Sequence, residues 1–166
     1  MMGPAEGTPG GMDFDTDVLD RIGRAAAAAY PSEGCGALLG PRGEPRRVTE
    51  MIPLENREKG TPQVRFEISP RDYMDIELEA ERSGLQLLGF WHSHPDHPAM
   101  PSPTDLSFAW EGLLTVIVSV REGGPSDIGA WELPASGAPF GPVEIRRAET
   151  ADLVSSLAIG ANGGGA

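Results

Sequence analysis

The segment Gly89–Asp105, GFWHSHPDHPAMPSPTD, constrains this chain more than any other. It holds all three histidines of the 166-residue sequence. The apolar run before them, Leu85–Trp91, reads as a strand, so His92 and His94 stand at i and i+2 at a strand end. Side chains alternate across an extended backbone, which puts both imidazoles on one side. Pro95 then ends the strand, because it cannot donate a ladder hydrogen bond. Two neutral imidazoles on one side make half of a zinc site. Ser93 points the other way and is expected to make a supporting hydrogen bond.

A third ligand has to come from elsewhere. Ser102-Pro103-Thr104-Asp105 reads as a helix start, with Ser102 at N-cap, Pro103 at N1 and Asp105 at N3. This predicts a helix from Pro103 to about Trp110, ending near Gly112, and it places Asp105 well for ligation. Asp96 and His97 lie closer in sequence and compete for the same role, although Pro95 and Pro98 restrict their loop. Two histidines and one carboxylate leave a tetrahedral position open for water, the pattern of a catalytic zinc site rather than a closed structural one. Zinc would lower the pKa of that water to about 7. A peptide hydrolase also needs a carboxylate to take the proton and pass it to the leaving amine. Periodicity does not identify that residue; Glu33, between a helix end and a strand start, is the best candidate.

The rest of the chain supplies a frame for this segment. Thr16–Tyr30 repeats apolar residues at helical spacing, with Thr16 as cap and Pro31 as stop. Cys35–Leu39, Arg47–Leu54, Val64–Ile68, Leu113–Val120, Ile128–Leu133 and Val143–Arg147 read as strands; LLTVIVSV is the most β-branched of them. Ser69-Pro70 opens a second helix reaching about Ser83, with Tyr73, Ile76 and Ala80 on one face and Gly84 at its end. Ala151–Ile159 reads as a short terminal helix. Strands and helices mix without βαβ alternation, which predicts an α/β (α+β-like) domain with a mixed sheet flanked by helices. Residues 1–12 read as a disordered tail, 13–160 as one domain and 161–166, ending in Gly-Gly-Gly-Ala, as a flexible tail.

Composition narrows the function classes. Thirteen Lys+Arg against 25 Asp+Glu give a net charge of −12, the wrong sign for clustered phosphate contacts, so no nucleic-acid partner is expected. The longest apolar run is far short of a membrane span and no secretory signal is legible, so no membrane partner is expected. One cysteine, Cys35, can form neither an internal disulfide nor a Cys-rich zinc knuckle, and it fits a reducing cytoplasm. Between glycines in an apolar strand it reads as packing rather than a nucleophile. Trp91 and Trp110, flanking the histidines, read by default as core.

Together these residues resemble the JAMM signature of the MPN+ zinc metalloproteases. His92-Ser93-His94-Pro95 and Ser102-Pro103-Thr104-Asp105 match its His-x-His-Pro and Ser-x-x-Asp blocks. Pro31-Ser32-Glu33-Gly34-Cys35-Gly36 is similar to its upstream Glu segment. The resemblance covers roughly residues 14–147 and takes in Pro53-Leu54-Glu55-Asn56, Phe66 and Ser69-Pro70. It implies the MPN/JAB (cytidine-deaminase-like) architecture with a largely antiparallel sheet. It implies Zn2+ held by His92, His94 and Asp105, Glu33 as general base and acid, and Ser102 as oxyanion stabiliser. It implies a peptidase or isopeptidase cleaving after the C-terminal Gly-Gly of a ubiquitin-like modifier or sulfur-carrier protein. The short loop Glu55–Gln63 points to the compact prokaryotic type. The competing reading is a non-catalytic MPN scaffold; such scaffolds lose ligands, and this chain keeps the whole set. A nucleobase deaminase needs a downstream cysteine pair, which this chain lacks.

Overall fold

A computed structural model describes residues 11–61 and 66–149. The expected helix at Ala151–Ile159, the C-terminal tail and residues 1–10 lie outside them. The chain runs β1 (Met12–Asp15), α1 (Thr16–Ala29), β2 (Cys35–Pro41), β3 (Arg47–Val48), β4 (Glu50–Leu54), α2 (Pro70–Arg82), β5 (Leu85–Pro95), α3 (Pro103–Ser107), β6 (Leu114–Arg121), β7 (Gly124–Glu132), β8 (Gly141–Val143) and β9 (Ile145–Ala148). Six strands form one sheet in the order β4-β2-β5-β6-β7-β8. Only β5 and β6 pair in parallel there; the other pairs are antiparallel. This is the expected α/β architecture, a mixed, largely antiparallel sheet flanked by helices. Among the described residues, no helix is long and apolar enough to cross a membrane.

Each face of the sheet buries one helix. Val18, Leu19, Ile22 and Ala26 recur along α1 and pack with Trp91, Val116 and Val118 on one face. Ile76 and Ala80 of α2 pack with Ala37 and Leu39 on the other, where Phe90 joins them at its margin. Gly36 lets β2 and β5 close over the first core. A Cβ there would strike the Trp91 indole and the Ile52 carbonyl oxygen. Ser69 caps α2 by accepting from Asp72 N at 3.1 Å, and Gly84, at φ +71°, turns the chain out of it.

Several sequence expectations change. Met12, placed in the N-terminal tail by its neighbours' composition, is fully buried and begins β1. Its strand lies between β3 and β9 in a small parallel sheet. The N-cap of α1 is Asp15 rather than Thr16, and its carboxylate does not cap, because it accepts from Arg47 Nε at 2.6 Å. Arg47–Leu54 is not one strand. The chain leaves the small sheet after Val48 and joins the edge of the large one at Glu50. Phe66–Ile68 form no strand; Phe66 turns its ring toward the histidines instead. Val64 and Arg65 lie outside the described residues.

Candidate active site

The site lies on the α2 face of the sheet, where β5 ends beside β6. Phe90, His92 and His94 share that face, while Trp91 and Ser93 point into the α1 core. Ser93 Oγ accepts from Gly34 N at 2.8 Å, which makes the expected supporting bond and ties the strand to the residue after Glu33. His92 is paired with Cys35 of β2 and Ile117 of β6, and His94 with Ser119. That antiparallel register brings Glu33 to the histidines across 59 residues of chain.

Asp105 arrives from α3. Ser102 Oγ accepts from Asp105 N at 3.1 Å and Asp105 Oδ2 accepts from Ser102 N at 2.8 Å, so the two close a capping box. The same carboxylate spans both rings, with Oδ1 at 3.0 Å from His92 Nε2 and Oδ2 at 3.1 Å from His94 Nε2. The two Nε2 atoms are 3.2 Å apart. A Glu33 carboxylate oxygen lies within 4.8 Å of a nitrogen on each histidine. Asp96 and His97, the competing ligands, are exposed on the loop after Pro95.

The donor set fits a cation. His94 Nδ1 is 2.9 Å from the Pro98 carbonyl, which can only accept, so Nδ1 carries the proton. In the neutral ring Nε2 then presents a lone pair toward Asp105 and His92. Lone pairs crowded at 3.0–3.2 Å need something positive among them, a metal ion or, without one, protons shared between the rings and the carboxylate. A tetrahedral zinc site with bonds of about 2.0–2.1 Å has ligand–ligand edges of roughly 3.3 Å, close to these separations. The Nδ1–carbonyl bond is the outer support that orients a metal-binding histidine. His92, His94 and Asp105 could hold a divalent metal with Glu33 beside it.

The local field separates the titratable groups. Burial pushes Glu33 up to about 7, with His94 pulling it down and Asp105 pushing it up. For Asp105 burial also opposes ionisation, but the hydrogen bonds from His92 and His94 outweigh it and hold the carboxyl well below the usual carboxylate range. Burial lowers His92. Burial acts the same way on His94, yet the bonds to Asp105 and Pro98 reverse the balance and its pKa is raised. Burial drives Cys35 up to about 12, so its thiol stays protonated and it packs as expected.

A pocket of about 390 Å³ opens beside these groups, with Glu33, His92, Ser102 and Asp105 along one side. Phe66 stacks on His92 at 4.5 Å between centroids. Trp110 is not core. It is 45% exposed and meets Phe90 and Tyr73 edge-on at 5.2 and 5.0 Å. Phe108, 73% exposed, completes the apolar wall. Both lie outside α3, which stops at Ser107 rather than near Trp110. Ser107 Oγ donates back to the Pro103 and Thr104 carbonyls, and Gly112 N then pairs with Leu133 O. The sequence signal for this wall is only that Trp110 flanks the histidine segment, which reads equally well as core.

Prokaryotic homologs of the JAB domain match residues 15–134. The chain is similar to a desampylase of Haloferax volcanii, 34% identical over 108 residues, which cover 64% of this chain and 76% of that protein. It is also similar to the CysO-cysteine peptidase of Mycobacterium tuberculosis, 25% identical over 78% of this chain and 87% of the relative. Among solved structures, a Salinibacter ruber protein is 40% identical with a TM-score of 0.63, covering 82% and 92% of the two chains. A JAB1/MPN domain protein from Archaeoglobus fulgidus, 23% identical with a TM-score of 0.52, covers 82% and 98% and shares the fold. By sequence match and by the sheet that carries its histidines, this chain belongs to the prokaryotic JAB family.

Proposed function

We propose that this protein is a zinc-dependent peptidase or isopeptidase that hydrolyses the bond after the C-terminal Gly-Gly of a ubiquitin-like modifier or sulfur-carrier protein. The observation that carries the reading is Glu33, a residue only 5% exposed, with its carboxyl beside the His92–His94–Asp105 cluster. Two relatives are named for cleavage of this kind, a desampylase and a CysO-cysteine peptidase. In this reading His92, His94 and Asp105 hold the metal within one catalytic domain. The single cysteine fits a reducing cytoplasm.

Zinc, when bound, would lower the pKa of a water and polarise the scissile carbonyl. The remaining work belongs to the chain. Glu33, with a pKa of about 7, takes a proton from the attacking water near neutral pH and returns it to the leaving amine. Ser102 Oγ accepts from Asp105 N, which leaves its own proton free to donate to the developing oxyanion. The five-residue α3 adds little dipole, so this role rests on the hydroxyl itself. The apolar wall excludes water and holds the tail of the substrate.

Glu33→Gln tests the reading, because it keeps the shape and cannot accept a proton. With a carrier extended beyond Gly-Gly, intact mass should show wild-type protein releasing the extension. The variant should keep about one zinc per chain while turnover falls by roughly 10²–10⁴-fold. Loss of zinc would make Glu33 a ligand. Retained turnover would assign the proton to another carboxylate.

A further inference from the structure

The stretch between β4 and α2 supplies one wall of the pocket through Glu58, Phe66, Glu67 and Ile68. It carries Phe66 onto the His92 ring. Its two ends meet at a single side chain. Asn56 Oδ1 accepts from Glu58 N at 3.0 Å and from Glu67 N at 3.1 Å, nine residues apart in sequence. Arg57 N donates to Glu67 O at 3.0 Å and closes the same neck. The other end of the amide points the opposite way: Asn56 Nδ2 donates to the backbone carbonyl of Glu33 at 3.0 Å.

We propose that Asn56 is a positioning residue that joins the pocket wall to Glu33, so that the surface receiving the substrate and the carboxyl moving the proton are set by one amide. The proposal rests on the reading of Glu33 given above. The chemistry of the residue type argues for it. Two converging N–H donors require an acceptor, and the Glu33 carbonyl requires a donor. A carboxamide offers both from separate atoms of one short side chain, so that Oδ1 serves the neck while Nδ2 serves Glu33. Glu33 lies in the connection between α1 and β2, ahead of the strand pairing, because the ladder of β2 begins at Cys35. A shift of about 1 Å in a proton-transfer group is enough to cost roughly 10²-fold in rate.

Asparagine to aspartate separates the two functions. Asn56→Asp keeps both acceptor bonds at the neck, loses the donor to Glu33 O and sets an anion against that carbonyl. Asn56→Ala loses both. In Asn56→Asp, kcat should fall between about 10-fold and 10²-fold with KM within twofold of wild type. In Asn56→Ala, kcat should fall as far and KM should also rise. Zinc content should stay at the wild-type level in both. Hydrogen exchange on the chelated proteins gives a readout free of turnover. The Glu58 and Glu67 amides should stay protected in Asn56→Asp and exchange faster in Asn56→Ala.

Wild-type kcat in Asn56→Asp, or loss of zinc in it, would overturn the positioning of Glu33. Equal protection of the two amides in both variants would overturn the link to the wall. Glu33→Gln is assayed alongside. If it is inactive while Asn56→Asp is fully active, this inference alone fails. If Glu33→Gln is itself active, the reading of Glu33 fails first and takes this inference with it.

Discussion

His92, His94 and Asp105 come from fourteen consecutive residues, whereas Glu33 and Phe66 reach the same histidines from two other stretches of chain, with Asn56 bonded to the Glu33 carbonyl behind them. The first side is held by rules that act within a few residues. Strand alternation aligns the two rings, and a capping box aims the carboxylate. The second side depends on β2 pairing with β5 so that Cys35 lies opposite His92. A slip of one residue in that pairing would turn Glu33 and its neighbours to the wrong face. Under the proposed function this is a division of labour: the local side would hold the metal, and the remote side would set proton transfer and the pocket.

Removing Asp105 should give the largest effect and tests the local side. Asp105→Ala takes away the carboxylate that faces both rings, and zinc affinity should fall at least roughly 10²-fold, with activity following it. His97→Ala, on the exposed loop, should leave metal content at the wild-type level. Metal analysis after dialysis measures both, and the opposite pattern would move the ligand set onto that loop.

The remote side has a pH signature of its own. Glu33 goes from 4.5 as its ordinary value to about 7 in the fold, so between these pH values the folded protein binds more protons than the unfolded chain. The stability this represents is fully present below pH 4.5 and is lost as pH rises through 7. In chelated protein, wild type should lose on the order of 2–3 kcal/mol across that window relative to Glu33→Gln. Parallel stability curves from denaturant titration would mean that Glu33 titrates as an exposed carboxyl.

The smallest effect concerns the loop after β5 that carries His97. Ser119 Oγ, on β6, donates to His97 O at 2.6 Å. Ser119→Ala should cost about 1 kcal/mol and lower Tm by about 2–4 °C. An unchanged Tm would mean that water replaces the bond, and that the local side stands without this tie.

Much of the local side is legible from residue types. Ser102 at N-cap, Asp105 at N3, the paired imidazoles and the Ser93 hydrogen bond all follow from backbone periodicity. Glu33 was a candidate by its place between a helix end and a strand start, but its role came through the family resemblance, because nothing in the pattern around it requires a buried carboxyl. Phe66–Ile68 were misread as strand for a related reason. Their residues suit a strand, but the fold commits Phe66 to the His92 ring, and β-propensity describes a fit to a sheet surface rather than a backbone preference. Trp110 was misread as core because an aromatic in an apolar context does not declare whether its partners cover it.

By itself the sequence determined the shared face of His92 and His94 and the capped turn of Asp105, since alternation and capping are settled within one turn or one strand whatever surrounds them. It also determined which faces of α1 and α2 are apolar. Only the tertiary structure decided that Arg47–Leu54 divides between two sheets, that α3 stops at Ser107, that Met12 joins the core, and that Glu33 and Asn56 meet behind the pocket. Each of these turns on which distant backbone is available to pair or pack, and such partners are chosen by the whole fold rather than by the residues beside them.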